Sequence, residues 1–177
     1  FQHLLLPTGW LDNVRLITRD GRVERVVTDV APESGDVRLG CGLPGMPNLH
    51  SHAFQRGMAG LAEVRGPAGD SFWTWREVMY RFVGRLDPEQ LSSIAALAYI
   101  EMLESGFTRV GAFHYLHHDR DGHPFSDPAE MSRAVADAAI RTGIGLTHLP
   151  VFYAHSGFGG AEPETHQRRF IHGLDSY

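Results

Sequence analysis

Leu43-Pro44-Gly45-Met46-Pro47-Asn48-Leu49-His50-Ser51-His52 is an apolar, turn-rich run that ends in two histidines, and the fold is read from it. In a strand, residues i and i+2 point to the same face, so His50 and His52 present two imidazoles side by side with Ser51 turned away. A neutral imidazole is the commonest protein ligand for zinc, and two on one strand face can bind the same ion. A bare His-x-His also arises by chance, as a pair of surface histidines. Its place at the polar end of an apolar strand favours the metal-binding reading, because the C-terminal mouth of a parallel barrel is where catalytic groups collect.

Working outward, the residues before this run predict two short alternating strands, Trp10 to Thr18 and Val23 to Val30. They flank Arg19-Asp20-Gly21-Arg22, and Asp-Gly between apolar runs is a hairpin signal. Residues 31–42 are rich in Pro, Gly and acidic groups and read as a connection, so 1–42 forms a β subdomain. After Leu43 the rhythm changes to alternating strands and helices. A helix is predicted over Phe72 to Val83, with Trp73, Arg76 and Tyr80 roughly on one face. A second opens at Asp87-Pro88-Glu89-Gln90, where an N-cap precedes a proline at the first helical position, and Gly106 ends it. A third opens at Asp127-Pro128-Ala129-Glu130 by the same device and closes at Gly143. Phe107 to Tyr115 and Ile144 to Tyr153 are strand-like, and Glu164 to Tyr177 has a helical pattern.

Strands alternating with helices of this length argue for a parallel sheet of βα units. A closed eight-stranded barrel needs about 250 residues, and only about three strands fit into 43–177. Such a piece leaves an open apolar parallel edge. The chain also opens on Phe1 rather than Met. The expectation is therefore a fragment: the N-terminal part of an α/β, (β/α)8 barrel, incomplete, behind a small β subdomain.

The bulk numbers narrow the function classes. The chain has 177 residues, 42% of them hydrophobic, and a net charge of −5. That suits a packed globular protein and gives no electrostatic reason to expect nucleic acid or an anionic membrane as partner. All 16 basic residues are arginines, so no lysine nucleophile or ligand exists in this stretch. Cys41 is the sole cysteine, which excludes an internal disulfide and a multi-thiolate zinc site; it reads as a small residue near a strand. No apolar run approaches a membrane span and no signal-peptide pattern opens the chain, so a cytoplasmic protein is expected.

The segment from Leu43 to Arg56 resembles the first-strand motif of the amidohydrolase superfamily, in which a Pro-Gly element leads into His-x-His. Three further stretches make the resemblance narrower: Asp70-Ser-Phe-Trp-Thr-Trp-Arg76, Phe113-His-Tyr-Leu-His-His118 and Tyr153-Ala-His-Ser-Gly-Phe-Gly159. Together with His50-Ser-His-Ala-Phe-Gln-Arg-Gly-Met-Ala-Gly60, they are similar to the formimidoylglutamate deiminases over essentially the whole chain. One departure is Ala112, where the family often has Glu before the Phe-His-Tyr stretch.

The resemblance implies a one-zinc (β/α)8 barrel with a β-sandwich subdomain, much longer than this chain. His50 and His52 match its first two zinc ligands, and Gln55, Arg76 and Tyr115 match positions that hold the substrate. A further His and Asp, and the proton-transfer groups, are expected beyond Tyr177. Two His ligands alone suit iron and manganese as well, so zinc comes from the resemblance. The implied reaction is hydrolysis of N-formimino-L-glutamate to N-formyl-L-glutamate and ammonia, a step of histidine breakdown, by an enzyme of the cytoplasm with a small-molecule substrate. The resemblance allows a homodimer, which the residues themselves do not address.

Each residue also has a plainer reading. Arg76 suits a dicarboxylate substrate, because guanidinium binds carboxylate in bidentate fashion; otherwise it is an exposed helix arginine in a surface ion pair. Gln55 is otherwise a loop amide, and Tyr115 an amphipathic cap on the core. Trp73 and Trp75 read as packing. His114, His117, His118 and His123, with Asp119 and Asp121, superficially resemble a second metal site, but Asp119-Arg-Asp-Gly-His reads as a solvated turn. His155 is a candidate for the barrel mouth; His3, His148, His166 and His172 carry no feature of their own. Two rivals stand beside the deiminase: a superfamily deaminase of a purine, pyrimidine or triazine ring, and a metal-free barrel that serves as scaffold or binding protein.

Overall fold

The computed structural model describes residues 1–63 and 71–177, and the chain forms two compact units, Phe1–Gly45 and Met46–Tyr177. Asp70 of the tryptophan-rich stretch lies outside the described residues.

The first unit is all β. Strand β1 (His3–Leu6) pairs antiparallel with β2 (Gly9–Asp12), with Leu5 opposite Trp10, and parallel with the two-residue β5 (Cys41–Gly42). A separate hairpin joins β3 (Arg15–Arg19) to β4 (Arg22–Val27). Its turn is the one the sequence predicts: Asp20 and Gly21 have φ of 49° and 73°, the paired positive values of a type I′ turn, where Gly bears no Cβ penalty. The single strand expected over Trp10 to Thr18 is corrected. Asn13 adopts φ 51°, and the break sends β2 and β3 into different sheets. The amides of Asn13 and Val14 are satisfied by the carbonyls of Gln2 and Phe1 at 2.9 Å, so a strand that the alternation did not reveal, β1, supplies the competing partner. Cys41 is exposed.

The second unit is a three-stranded parallel sheet in the order β6 (Met46–Ser51), β7 (Phe107–His114), β8 (Gly145–Pro150). Its helices are α1 (Phe72–Val83), α2 (Pro88–Glu104) and α3 (Glu130–Thr142). The start of α2 is capped as the sequence predicts: the Asp87 carboxylate accepts from the Gln90 amide at 2.8 Å, and Gln90 returns the bond to the Asp87 amide. The start of α3 is not. Asp127 instead accepts from Ala129 and pairs with Arg133, and the helix begins only at Glu130 with no side-chain cap. Gly143, at φ 80°, closes it as expected. The helix expected over Glu164 to Tyr177 is replaced by two single 3-10 turns, Thr165–Gln167 and Leu174–Ser176, because the intervening residues bond to other segments rather than to one another.

The core follows the strand alternation. Val110 and Ala112 of β7 are buried with Leu91, Ala95 and Tyr99 of α2 and Met131, Val135 and Ala138 of α3. Each fully buried Leu, Met or Val side chain contributes about 1.5–3 kcal/mol by leaving water. Between them, Arg109 is exposed and Gly111 and Phe113 are half-buried, so β7 has one covered and one open face. Gly111 is required by close approach: a Cβ there would lie 2.9 Å from the Leu49 carbonyl oxygen of β6.

The stretch just before the Asp119 turn is buried. His117 and His118 are buried, and their backbone amides donate to the Arg169 carbonyl at 2.9 and 3.0 Å. His117 Nε2 lies 3.1 Å from the Val151 carbonyl, and because a carbonyl only accepts, Nε2 carries the proton and donates. The rings of His118 and His172 stand 4.6 Å apart, and those of His114 and His148 5.2 Å apart. Arg169 itself is buried and is held by the carbonyls of His118, at 3.0 Å, and Val83. The turn reading holds for Asp119, whose carboxylate accepts from the amides of Asp121 and His123, and for exposed His123. No helix among the described residues is long and apolar enough to cross a membrane.

These buried imidazoles make the unit acid-sensitive. Burial lowers the His117 pKa from 6.5 to about 4, with the Val151 carbonyl opposing it, and holds His114 well below its ordinary value. The unfolded chain therefore takes up a proton at His117 between pH 6.5 and 4 that the folded chain refuses. The sign follows: stability is full above pH 6.5 and is lost as pH falls towards 4, by about 3 kcal/mol for this group alone. In urea unfolding of the full-length protein, His117→Gln is expected to flatten the fall in stability between pH 6.5 and 4.5 by about 1.4 kcal/mol per pH unit. Identical slopes for the two proteins would refute the assignment.

Candidate metal and substrate site

The site is built where β6 ends. His50 is the penultimate residue of the strand and His52 follows it, entering a 3-10 turn over Ala53–Met58. His52 Nδ1 lies 2.9 Å from the Phe113 carbonyl of β7, so that nitrogen carries the ring proton and Nε2 keeps its lone pair. That lone pair faces His50 Nε2 at 3.1 Å. Two imidazole nitrogens each about 2.05 Å from one tetrahedral ion stand about 3.3 Å apart, so the pair fits a shared metal ion. Burial lowers the His52 pKa, with the Phe113 carbonyl working the other way, which favours the neutral, metal-binding form. Among the described residues no group of three His, Cys, Asp or Glu gathers to hold an ion.

The turn that follows His52 is anchored from below. Arg56 forms a two-pronged ion pair with Glu101 of α2, at 2.5 and 2.7 Å. Phe54, 1% exposed, is driven into the core beside Tyr115, their rings 5.3 Å apart. Between these two anchors Gln55 turns its amide towards the Tyr115 hydroxyl, at 3.4 Å. An open cavity of about 440 Å³ lies beside the pair, lined by His50, His52, Gln55, Arg56, Glu101 and Phe107 among others.

Tyr115, the first residue after β7, packs edge-on to the His52 ring at 5.0 Å. Burial pushes its hydroxyl up to about 12, so at neutral pH it is a proton-bearing hydrogen-bond donor. Arg76 lies on α1 and is not part of the cavity wall. Its Nε donates to Tyr80 at 2.6 Å, and its guanidinium stands 5.7 Å from the Trp73 ring. No carboxylate pairs with it among the described residues. The surface ion pair that was the plainer reading is thus absent there. Trp73 is exposed and Trp75 half-buried, so packing describes only the second. His155 is exposed on the loop after β8.

The structure thus joins His50 to His52, His52 to Tyr115 and Tyr115 to Gln55, and it links Arg76 to them only through intermediates. Those intermediates are Tyr80, Tyr153, Gln167 and Phe170. Sequence reasoning missed three of them as site residues and used Tyr80 only as a helix-face marker. The last two lie in the segment misread as a helix, and no spacing rule joins Gln167 to a residue 87 positions earlier.

Residues 2–40 match the family model "Formimidoylglutamate deiminase HutF, N-terminal domain". The chain is 55% identical to formimidoylglutamate deiminase of Pseudomonas aeruginosa over 177 residues, covering 99% of this chain and 39% of that protein. Among solved structures, an amidohydrolase from Brucella melitensis is 53% identical, with a TM-score of 0.94, over 99% of this chain and 39% of that one. The atrazine chlorohydrolase of Arthrobacter aurescens TC1, solved in complex with zinc, shares the fold at 16% identity and a TM-score of 0.71, with the same coverage. The chain spans 39% of the length of each of these relatives. Over nearly its whole length the chain is thus similar to a formimidoylglutamate deiminase and to an amidohydrolase, and its residues 2–40 resemble the N-terminal domain of the former.

Proposed function

We propose that this chain carries the first two metal ligands and part of the substrate clamp of a zinc-dependent enzyme that hydrolyses N-formimino-L-glutamate to N-formyl-L-glutamate and ammonia. The observation that carries the reading is the meeting of the His50 and His52 Nε2 atoms, 3.1 Å apart, with Gln55 and Tyr115 beside them. The architecture proposed for the whole is a closed (β/α)8 barrel whose first three strands are β6, β7 and β8. Strands of residues 1–42 would belong to a β-sandwich subdomain.

In this reading His50 and His52 hold the ion through Nε2, with the Phe113 carbonyl fixing the tautomer of His52. Zinc held there would supply hydroxide at neutral pH by acidifying a water molecule. The formimino carbon is the electrophile. Water oxygen adds to it, the amidine C–N bond breaks, and the leaving nitrogen takes up protons to depart as ammonia. The Gln55 amide, placed between His52 and Tyr115, holds the formimino end, and the Tyr115 hydroxyl donates to a substrate carboxylate. Arg76, whose two terminal nitrogens have no carboxylate partner among the described residues, is the bidentate clamp for the other charged end. A His, an Asp and the proton-transfer groups that complete the site are to be sought outside these residues.

A ring deaminase needs stacking surfaces and no carboxylate clamp, and the unpaired Arg76 favours the dicarboxylate instead. The approach of the two Nε2 atoms to 3.1 Å at the end of one strand favours a shared ion over a metal-free scaffold. The test is ammonia release by the full-length protein from N-formimino-L-glutamate, compared with guanine and cytosine, with metal analysis on the same sample. Release from the formimino compound alone with about one zinc per chain is expected; release from a ring substrate alone would sink the assignment. His50→Ala is expected to lose most bound metal and at least about 1,000-fold in kcat, since metal and hydroxide go together. Arg76→Met is expected to cost about 100-fold in kcat/KM, mostly in KM, while zinc content stays unchanged. Normal turnover by Arg76→Met would remove the clamp.

A further inference from the structure

We infer that Gln167 is a positioning residue for Arg76: by holding the hydroxyls of Tyr80 and Tyr153, it sets the direction in which the Arg76 guanidinium meets a substrate carboxylate. The inference rests on the reading of Arg76 as a carboxylate clamp.

The chain of contacts starts at Arg76. Its Nε donates to the Tyr80 hydroxyl at 2.6 Å, one helical turn further along α1. The Cζ atom lies 5.2 Å from the centre of the Tyr80 ring and 5.7 Å from that of Trp73, so two aromatic rings flank the cation. With Nε bound, the rotation of the guanidinium plane is set by where the Tyr80 oxygen sits; Tyr153 also bears on the guanidinium, and its remaining N–H groups are left for a ligand. An arginine without such a tether samples many rotamers, and a bidentate contact needs one of them.

Tyr80 is in turn held by Gln167, which donates through Nε2 at 3.1 Å. The same Nε2 donates to the Tyr153 hydroxyl, also at 3.1 Å, so both amide hydrogens are used. Gln167 Oε1 accepts from the Glu164 amide at 2.8 Å. That last bond fixes which way round the amide lies, because a flipped side chain would set its NH2 against the Glu164 N–H. Gln167 has no exposure to solvent. A leucine would fill similar space without the desolvation cost of a buried amide; what the amide adds is direction.

The segment around Gln167 is itself pinned. Three residues on, Phe170 is 1% exposed and packs between Tyr80, Tyr153 and Tyr115, at 6.0, 5.7 and 5.1 Å between ring centres. Arg169 between them grips the His118 carbonyl at 3.0 Å and receives the amides of His117 and His118 on its own carbonyl. One short turn thus supports Tyr115 through Phe170 and Arg76 through Gln167, tying the two ends of the proposed clamp to a common frame.

The test uses the full-length, zinc-loaded protein with N-formimino-L-glutamate. Gln167→Leu and Tyr80→Phe are each expected to lower kcat/KM about tenfold, chiefly by raising KM, with zinc content and Tm near those of the parent. Tyr80→Phe, the smaller change, carries the test if Gln167→Leu does not fold. The deciding measurement repeats each substitution in an Arg76→Met background. If Gln167 acts through Arg76, the second substitution costs nothing further there. An equal loss in both backgrounds means a merely structural role and overturns the inference. So does an unchanged KM in both single variants when Arg76→Met alone is impaired, an outcome that leaves the clamp standing. Unimpaired Arg76→Met would remove the clamp and this inference with it.

Discussion

The parallel pairing of β6 with β7 is the constraint on which the site depends. It lets the Phe113 carbonyl of one strand take the Nδ1 proton of the histidine that ends the other, at 2.9 Å. A strand alone can put His50 and His52 on one face, but it cannot choose their tautomers. The neighbouring carbonyl does so, because it accepts only, and the remaining lone pair is then aimed by the backbone itself. The pairing is close enough that Gly111 admits no side chain against the Leu49 carbonyl. A larger residue at 111 would push β6 away, and with it the hydrogen bond that orients His52.

Around that contact the unit divides its polar groups by depth. Imidazoles on the covered side, His114, His117, His118 and His172, are buried in a layer of rings and carbonyls, and burial depresses the pKa of His114, His117 and His172. His50, on the open side, is exposed, and His52 is half-buried. The same residue type thus serves packing in one layer and stands open to a ligand in another, and distance from solvent separates the two.

The helix starts show how far local chemistry carries. Asp87 and Asp127 open nearly identical Asp-Pro sequences, yet only Asp87 caps its helix; Asp127 is drawn into a turn with Ala129 and an ion pair with Arg133. The C-terminal stretch makes the same point. Its amphipathic pattern fits a helix, but Arg169, Phe170 and His172 find carbonyls and rings in residues 80–153, and those contacts outweigh one more turn of local hydrogen bonds.

Local chemistry in the sequence accounts for the alternation of strand and helix in the second unit, the hairpin at Asp20-Gly21, the capped start of α2, and the histidine pair with Gln55 three residues after it. These are local: each depends on spacing within a few residues, on turn chemistry or on a motif. Tertiary contacts set the rest: Asn13 breaks a strand in two, His117 and His118 are buried, and Gln167 and Arg76 meet on one Tyr80 hydroxyl. Those outcomes depend on which distant backbone carbonyl or ring meets a side chain, and partners 87 residues apart leave no mark on the periodicity of either segment.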